Sequence, residues 1–367
     1  MRALLLGWSA LILVGCEASY ALKQGWIHIR RLNSGIPIRS FINDPSTPPD
    51  ERESALLILG SKAFGIDKLG LTRTDDFSSL VKIHEGAVAY LVFACPKDRL
   101  EPHLWRFPLV GALPYKGFFS LDDSLKEAKR LDGLGLDTYV TAAAAFSTLG
   151  WCRDPVYSTM LKMDRLDLVR TILHEMAHRT VFFPTNPKFN ERFATFVGWM
   201  GTVEFMKYIH GARSPQAQRA IRALELERRF ACLLERAHRM LNSIYQLSIP
   251  MEEKMSLRRR AFEEIRGWVM ELSAAYSTGA FRGLEEATWN NALFMALWLY
   301  RYDATQLEEL YNLLDRDLRS LVQTVLFWRE EGLDPQEMLP VTMQEGNQAP
   351  SRVCLSLLTN HPSGSSK

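Results

Sequence analysis

The chain has 367 residues, 47% hydrophobic and 23% charged, an ordinary globular composition with room for one large core or two smaller ones. Its 44 basic residues nearly balance 42 acidic ones, for a formal net charge of +2, so no charge excess points to a nucleic-acid partner. Disorder on a large scale and nucleic-acid binding are disfavoured from the start.

The first stretch, MRALLLGWSALILVGC, places Arg2 before an apolar run from Ala3 to Val14. That run is too short to span a bilayer as a stable helix but suits the apolar region of a signal peptide. It ends in Leu13-Val14-Gly15-Cys16, which resembles a bacterial lipobox. Residues 1–15 are therefore expected to be a lipoprotein signal peptide and Cys16 the lipidation site. The expected location is the bacterial cell envelope, anchored by lipid and facing the periplasm. Glu17, rather than Asp, at the next position favours the outer membrane. The plainer alternatives are a cleaved signal with an incidental cysteine, or a weak membrane anchor. Cys95, Cys152, Cys232 and Cys354 lie far apart and form no close metal-binding spacing; disulfides and buried thiols both fit them.

In chain order, residues 17–31 suit a helix, and the turn-rich NDPSTPPDERES leads into a second helical run around Ser54 to Phe64. GAVAYLVFAC (86–95) reads as a buried strand. RFPLVGALPYKGFF (106–119) reads as strand interrupted by Pro108, Gly111 and Pro114. A polar helix is expected from Leu121 to Leu131, and DTYVTAAAAFSTLGW (137–151) begins as a strand. From Asp164 onward the pattern is helical, broken at Pro184, Pro215, Pro250 and Gly279 to Gly283. After about Glu331 periodicity is lost and the end is rich in Pro, Ser and Gly.

The chemistry gathers in RTILHEMAHRTVFFPTNPKFNERFA. Asp164 is a good N-cap, Asp167 adds negative charge to the first turn, and Leu166, Val169, Leu173 and Ala177 follow helical spacing over 165–181. On that helix His174 and His178 are one turn apart, so both imidazoles can reach one metal ion. Glu175 is rotated by about 100° from His174, so it need not ligate and can stand beside a zinc-activated water as a general base. Zinc of the hydrolytic kind needs a third protein ligand and an open position. Pro184 stops the helix, Thr185 or Asn186 can cap a second, and Pro187 suits its first position. Glu191 then falls about one turn into the new helix, where a helical hairpin can return it to the histidines. Ala194, Thr195 and Gly198 share its face and allow close packing. The bland alternative is a helix face carrying two histidines and a glutamate by chance.

LVGC, FPLVGALPYKGFF, AAFSTLGWCRDPVYSTML, LHEMAHRTVF, FNERFATFVGWMG and NNALFMALWLY resemble, in the same order, blocks of the predicted bacterial aminopeptidase family, lipoproteins with a gluzincin-like HExxH site. The likeness runs from about residue 13 to about residue 330. It implies zinc held by His174, His178 and Glu191, with Glu175 as catalytic acid/base, and a peptide substrate. Together with the element pattern above, it gives the expected fold as α+β and predominantly helical, with a zincin-like catalytic lobe containing a small sheet (16–212), an all-helical lobe (213–330) and, from the loss of periodicity, a poorly ordered tail (331–367). Many better-known gluzincins carry an acidic residue one turn after the third ligand, whereas this chain has Thr195.

In zincin-like folds substrate lies along an edge strand by strand addition, and VTAAAAF is the candidate here, set against a tightly packed small-residue strand in the core. Ala144, Ala145, Tyr157 and Asn291 are the substrate-side candidates, the last two set against core and capping roles. Tyr115, Tyr300 and Tyr302 are further oxyanion donors, and Glu204 and Glu285-Glu286 could hold a free amine. His84 lacks a second histidine at metal-binding spacing, and His210 and His238 are read as lying on polar helix surfaces. The leading expectation is a zinc peptidase, an aminopeptidase by resemblance. The alternatives are an endopeptidase or other amide hydrolase, and a non-catalytic lipoprotein with structural zinc.

Overall fold

The structure is a computed structural model that describes residue 27 and residues 30–84, 86–107, 111–143, 153–276, 281–299, 301 and 304–339. It is α+β and predominantly helical, with small sheets in the N-terminal part followed by an all-helical lobe. Two compact units divide it: residues 1–55, 75–95 and 102–163 form the first, and 56–74, 96–101 and 164–367 the second. The signal segment and the tail after residue 339 lie outside the described residues, as does most of the helix expected at 17–31.

In the first unit, β1 (Ile36–Pro37) pairs antiparallel with β2 (Ser79–Val81), which pairs in parallel with β8 (Val156–Tyr157). The interrupted stretch at 106–119 becomes three short strands, β4 (Trp105–Phe107), β5 (Gly111–Leu113) and β6 (Lys116–Phe118). β4 and β5 pair antiparallel with each other. β6 instead joins β3 (Ala89–Cys95) and β7 (Asp137–Ala143) in an antiparallel sheet with β3 at its centre. A central strand has neighbours on both edges, which suits the unbroken apolar AYLVFAC of β3. Between β6 and β7 lies α3 (Leu121–Asp132), started by Ser120, whose hydroxyl accepts from the Asp123 N–H at 3.4 Å. Ala128 and Leu131 of α3 pack with Val92, Ala94, Trp105 and Phe118 as one core. α1 (Ile38–Asn43) precedes α2 (Pro49–Asp67), and α2 passes from one unit to the other at Ala55.

The second unit is built on α4 (Arg165–Thr180) and α5 (Pro187–His210). α6 (Pro215–Tyr245), α7 (Met251–Tyr276), α8 (Arg282–Glu286), α9 (Asn291–Leu299), α10 (Thr305–Leu313), α11 (Leu318–Glu330) and α12 (Pro335–Met338) follow. Pro187 and Pro215 each occupy the first turn of a helix behind an Asn186 or Ser214 cap. The break at 314–317 was not expected. Between α10 and α11 the chain turns through Asp315 and Arg316, both with positive φ (54° and 60°), and Asp317 then caps α11 through Arg319 N–H and Ser320 N–H. No glycine or proline marks that turn, so only the cap signals it. Among the described residues no helix is long and apolar enough to cross a membrane.

Candidate metal centre

Asp164 starts α4 by accepting from the Leu166 N–H at 2.9 Å, and Leu166, Val169, Leu173 and Ala177 are buried along it. That burial fixes the rotation of the helix, and His174 and His178 emerge together one turn apart. Their Nε2 atoms face each other at 3.1 Å. The chain turns through 181–186, and Asn186 starts α5 by accepting from the Phe189 N–H at 3.1 Å. Glu191 then reaches both rings, with Oε2 3.7 Å from His174 Nε2 and Oε1 3.6 Å from His178 Nε2.

α5 comes this close because its facing residues are small. A Cβ on Gly198 would lie 3.0 Å from the Arg170 carbonyl oxygen and 3.3 Å from His174 Cβ, so only glycine leaves the contact unstrained. Ala194 and Thr195 on the same face are buried. The Ala194 main-chain carbonyl also accepts a hydrogen bond from the His174 ring. With Thr195 standing where an acidic residue would be expected, this backbone acceptor orients the imidazole.

Burial, then the charge of His178, pushes the His174 imidazole down to about 3, so it is a neutral donor at physiological pH. Burial opposes charge on His178 too, but the hydrogen bond and charge of Glu191, with Glu175 adding, hold that ring above its ordinary value. Burial likewise works against charge on Glu191, yet the two histidines keep its carboxyl below the usual range. Ligand atoms 2.0 to 2.1 Å from a tetrahedral zinc stand about 3.3 Å from one another. The separations of 3.1, 3.6 and 3.7 Å bracket that figure, and a neutral imidazole paired with a carboxylate is the donor chemistry zinc takes. The residues therefore fit the ion. Among the described residues this is the group of His, Cys, Asp and Glu side chains able to hold a metal, and it contains three donors.

A family model described as "Putative aminopeptidase" matches residues 19–333. The chain belongs to that family. No curated protein and no solved structure matches it.

In this aminopeptidase-family chain Glu175 sits beside the cluster, one of its carboxylate oxygens, Oε2, shielded from solvent, and its charge acts on His178. Tyr157 is buried in β8 of the first unit. Asn291 is fully buried: its Oδ1 accepts from the Tyr245 hydroxyl at 2.6 Å, and its Nδ2 donates to the Pro96 and Arg99 carbonyls at 2.7 and 3.2 Å. Those bonds give the carboxamide a joining role between α6, α9 and the 96–101 segment. Asn290 caps α9 through the Leu293 N–H. Ala144, Ala145, Tyr300, Tyr302 and Cys16 lie outside the described residues.

The Tyr115 ring lies tilted against Phe93, with ring centroids 5.6 Å apart. Glu204 accepts from the Tyr311 hydroxyl at 3.3 Å. His238 is not a surface residue in the expected sense. It stacks on Trp298 at 4.2 Å, and burial, helped by the Arg301 charge, lowers it to about 4. Two groups that act on His174 escaped the sequence reading of chemistry: Arg170 and the carbonyl of Ala194. Arg170 lies one turn before His174, its guanidinium 5.0 Å from the Trp199 ring and 3.1 Å from the Asp167 carboxylate. Its position, one turn from a ligand, was the available signal.

Proposed function

We propose that this chain is a zinc-dependent peptidase of gluzincin type, cleaving peptides as an aminopeptidase, with His174, His178 and Glu191 as metal ligands and Glu175 as catalytic acid/base. The observation that carries the proposal is the convergence of two imidazole Nε2 atoms and one carboxylate at 3.1 to 3.7 Å, with a second carboxylate next to them in sequence. Zinc bound there supplies Lewis acidity, which activates water and polarises an amide carbonyl.

The protein's own groups do the rest. Glu175 takes the proton of the attacking water on its carboxylate and returns it to the leaving amine nitrogen. The Arg170 charge disfavours a proton on the His174 ring, and the Ala194 carbonyl, by accepting a hydrogen bond from that ring, helps to orient it. Among the described residues the set has three donors, which leaves a position for water and substrate and favours a catalytic site over the four-ligand structural site of a non-catalytic lipoprotein.

The chain is further proposed to be exported and anchored in the bacterial envelope through lipid on Cys16, facing the periplasm. The N-terminal segment supports this, as does the disulfide at Cys232, since disulfides persist in oxidising compartments. Labelling with a fatty-acid analogue is expected to mark the wild type and not Cys16→Ala.

Metal analysis of the purified protein, paired with cleavage of a peptide library, tests the catalytic reading. One zinc per chain is expected, with cuts one residue from the N-terminus. Glu175→Gln is expected to keep the zinc and lose about 100- to 10,000-fold in kcat. Full zinc content in His174→Ala, or undiminished cleavage by Glu175→Gln, would sink the proposal. Internal cuts would turn it into an endopeptidase.

A further inference from the structure

Glu191 reaches the histidines from a different helix, and the turn at 181–186 alone does not say where it arrives. Asn190, the residue before it, is 3% exposed and makes no contact of its own with the metal donors that would explain a buried carboxamide. Instead its Oδ1 accepts from the Phe183 main-chain N–H at 2.9 Å, and its Nδ2 donates to the Phe183 carbonyl, also at 2.9 Å. Two bonds to the two main-chain groups of one residue hold the carboxamide as a neighbouring strand would hold that backbone. They tie the first turn of α5 to a point just past Thr180, the last residue of α4.

Capping does not account for this. Asn186 already satisfies the start of α5, its Oδ1 taking the Phe189 N–H and its own N–H donating to the Phe183 carbonyl at 3.1 Å. Phe183 is anchored as well, its buried ring lying edge-on to Phe189 at 5.4 Å. The Asn190 clamp therefore adds orientation to a helix start that is otherwise complete. The next Cα along, 3.8 Å away, belongs to Glu191. We infer that Asn190 is a positioning residue for the metal centre: by clamping Phe183 it sets where the Glu191 carboxylate meets His174 and His178.

The inference rests on the metal reading above, and zinc affinity measured by chelator competition separates the two. Wild type, Asn190→Ala, Asn190→Asp and Val325→Ala are compared, each with a thermal melt. Val325 is wholly buried on α11 and makes no part of the site, so its truncation reports what general destabilisation does to zinc affinity. Asn190→Asp keeps the acceptor for the Phe183 N–H and the side-chain volume but loses the donor. It carries the comparison if the alanine variant does not fold.

Asn190→Ala is expected to bind zinc about 10- to 100-fold more weakly, the usual loss when an outer supporting group is removed, with Asn190→Asp in between. Val325→Ala is expected to melt lower but hold zinc within about twofold of wild type, since sites without shared partners act nearly independently. Wild-type affinity in the Asn190 variants, or an equal weakening in Val325→Ala, overturns the inference. Failure of the wild type itself to bind zinc removes the metal reading, and the inference with it.

Discussion

Gly198→Ala tests whether the close approach of α5 to α4 holds the site together. In an ordinary helix interior, replacing glycine by alanine stabilises by about 0.8 to 1 kcal/mol, because glycine surrenders more backbone freedom. Here the new methyl would sit 3.0 Å from the Arg170 carbonyl oxygen, 3.3 Å from His174 Cβ and 3.4 Å from Arg170 Cγ. The carbonyl belongs to the α4 backbone and cannot swing away, so the helices must part by several tenths of an ångström. Overpacking of this kind costs about 1 to 3 kcal/mol. The net expectation is a loss of about 1 kcal/mol, or a Tm lower by about 2 to 4 °C for a unit of this size. Since α5 carries Glu191 and α4 the histidines, zinc binding is expected to weaken as well.

Gly267 on α7 is the control, because a Cβ there meets nothing within 4 Å. Gly267→Ala is expected to raise Tm by about 2 to 4 °C and leave zinc untouched. Differential scanning fluorimetry and chelator competition on both variants read the result. A Gly198→Ala protein that melts higher than wild type with unchanged zinc affinity would refute the packing argument.

Asn291→Ala strands the Tyr245 hydroxyl and the Pro96 and Arg99 carbonyls, and is expected to cost about 3 kcal/mol by thermal or urea melts. A raised KM with unchanged stability would instead place Asn291 at the substrate. Burial first, and then the nearby Asp317, hold the Glu204 carboxyl above its ordinary value. The folded state therefore binds that proton more tightly than the unfolded one, and the stability this contributes at low pH is lost as pH rises through the folded pKa. Glu204→Gln keeps an acceptor for the Tyr311 hydroxyl, so its Tm advantage over wild type is expected to grow from about pH 4.5 upward. A difference that stays flat from pH 4 to 7 would contradict the burial argument.

Much of the site was legible because it is periodic. The Asp164 cap, the buried stripe on α4 and the four-residue spacing of His174 and His178 all follow from helix geometry, which a sequence displays directly. The small face of Ala194, Thr195 and Gly198 was readable for the same reason, and the contact distances at Gly198 show what it is for.

Elements whose reasons lie far away in the chain were not legible. β1, β2 and β8 have two or three residues each and exist through pairings between segments 36–37, 79–81 and 156–157, too short to show a period. Asn291 looked free to face a cleft until its three partners, from Pro96 to Tyr245, were seen around it. The same holds at the metal centre. Sequence determined that two imidazoles share one helix face and that a glutamate follows a turn, since both are local facts of backbone geometry. Only the tertiary structure decided how that glutamate comes back. Its position depends on a carboxamide clamped to a turn and a glycine with no room for a methyl group, while a carbonyl on the second helix orients His174 to meet it.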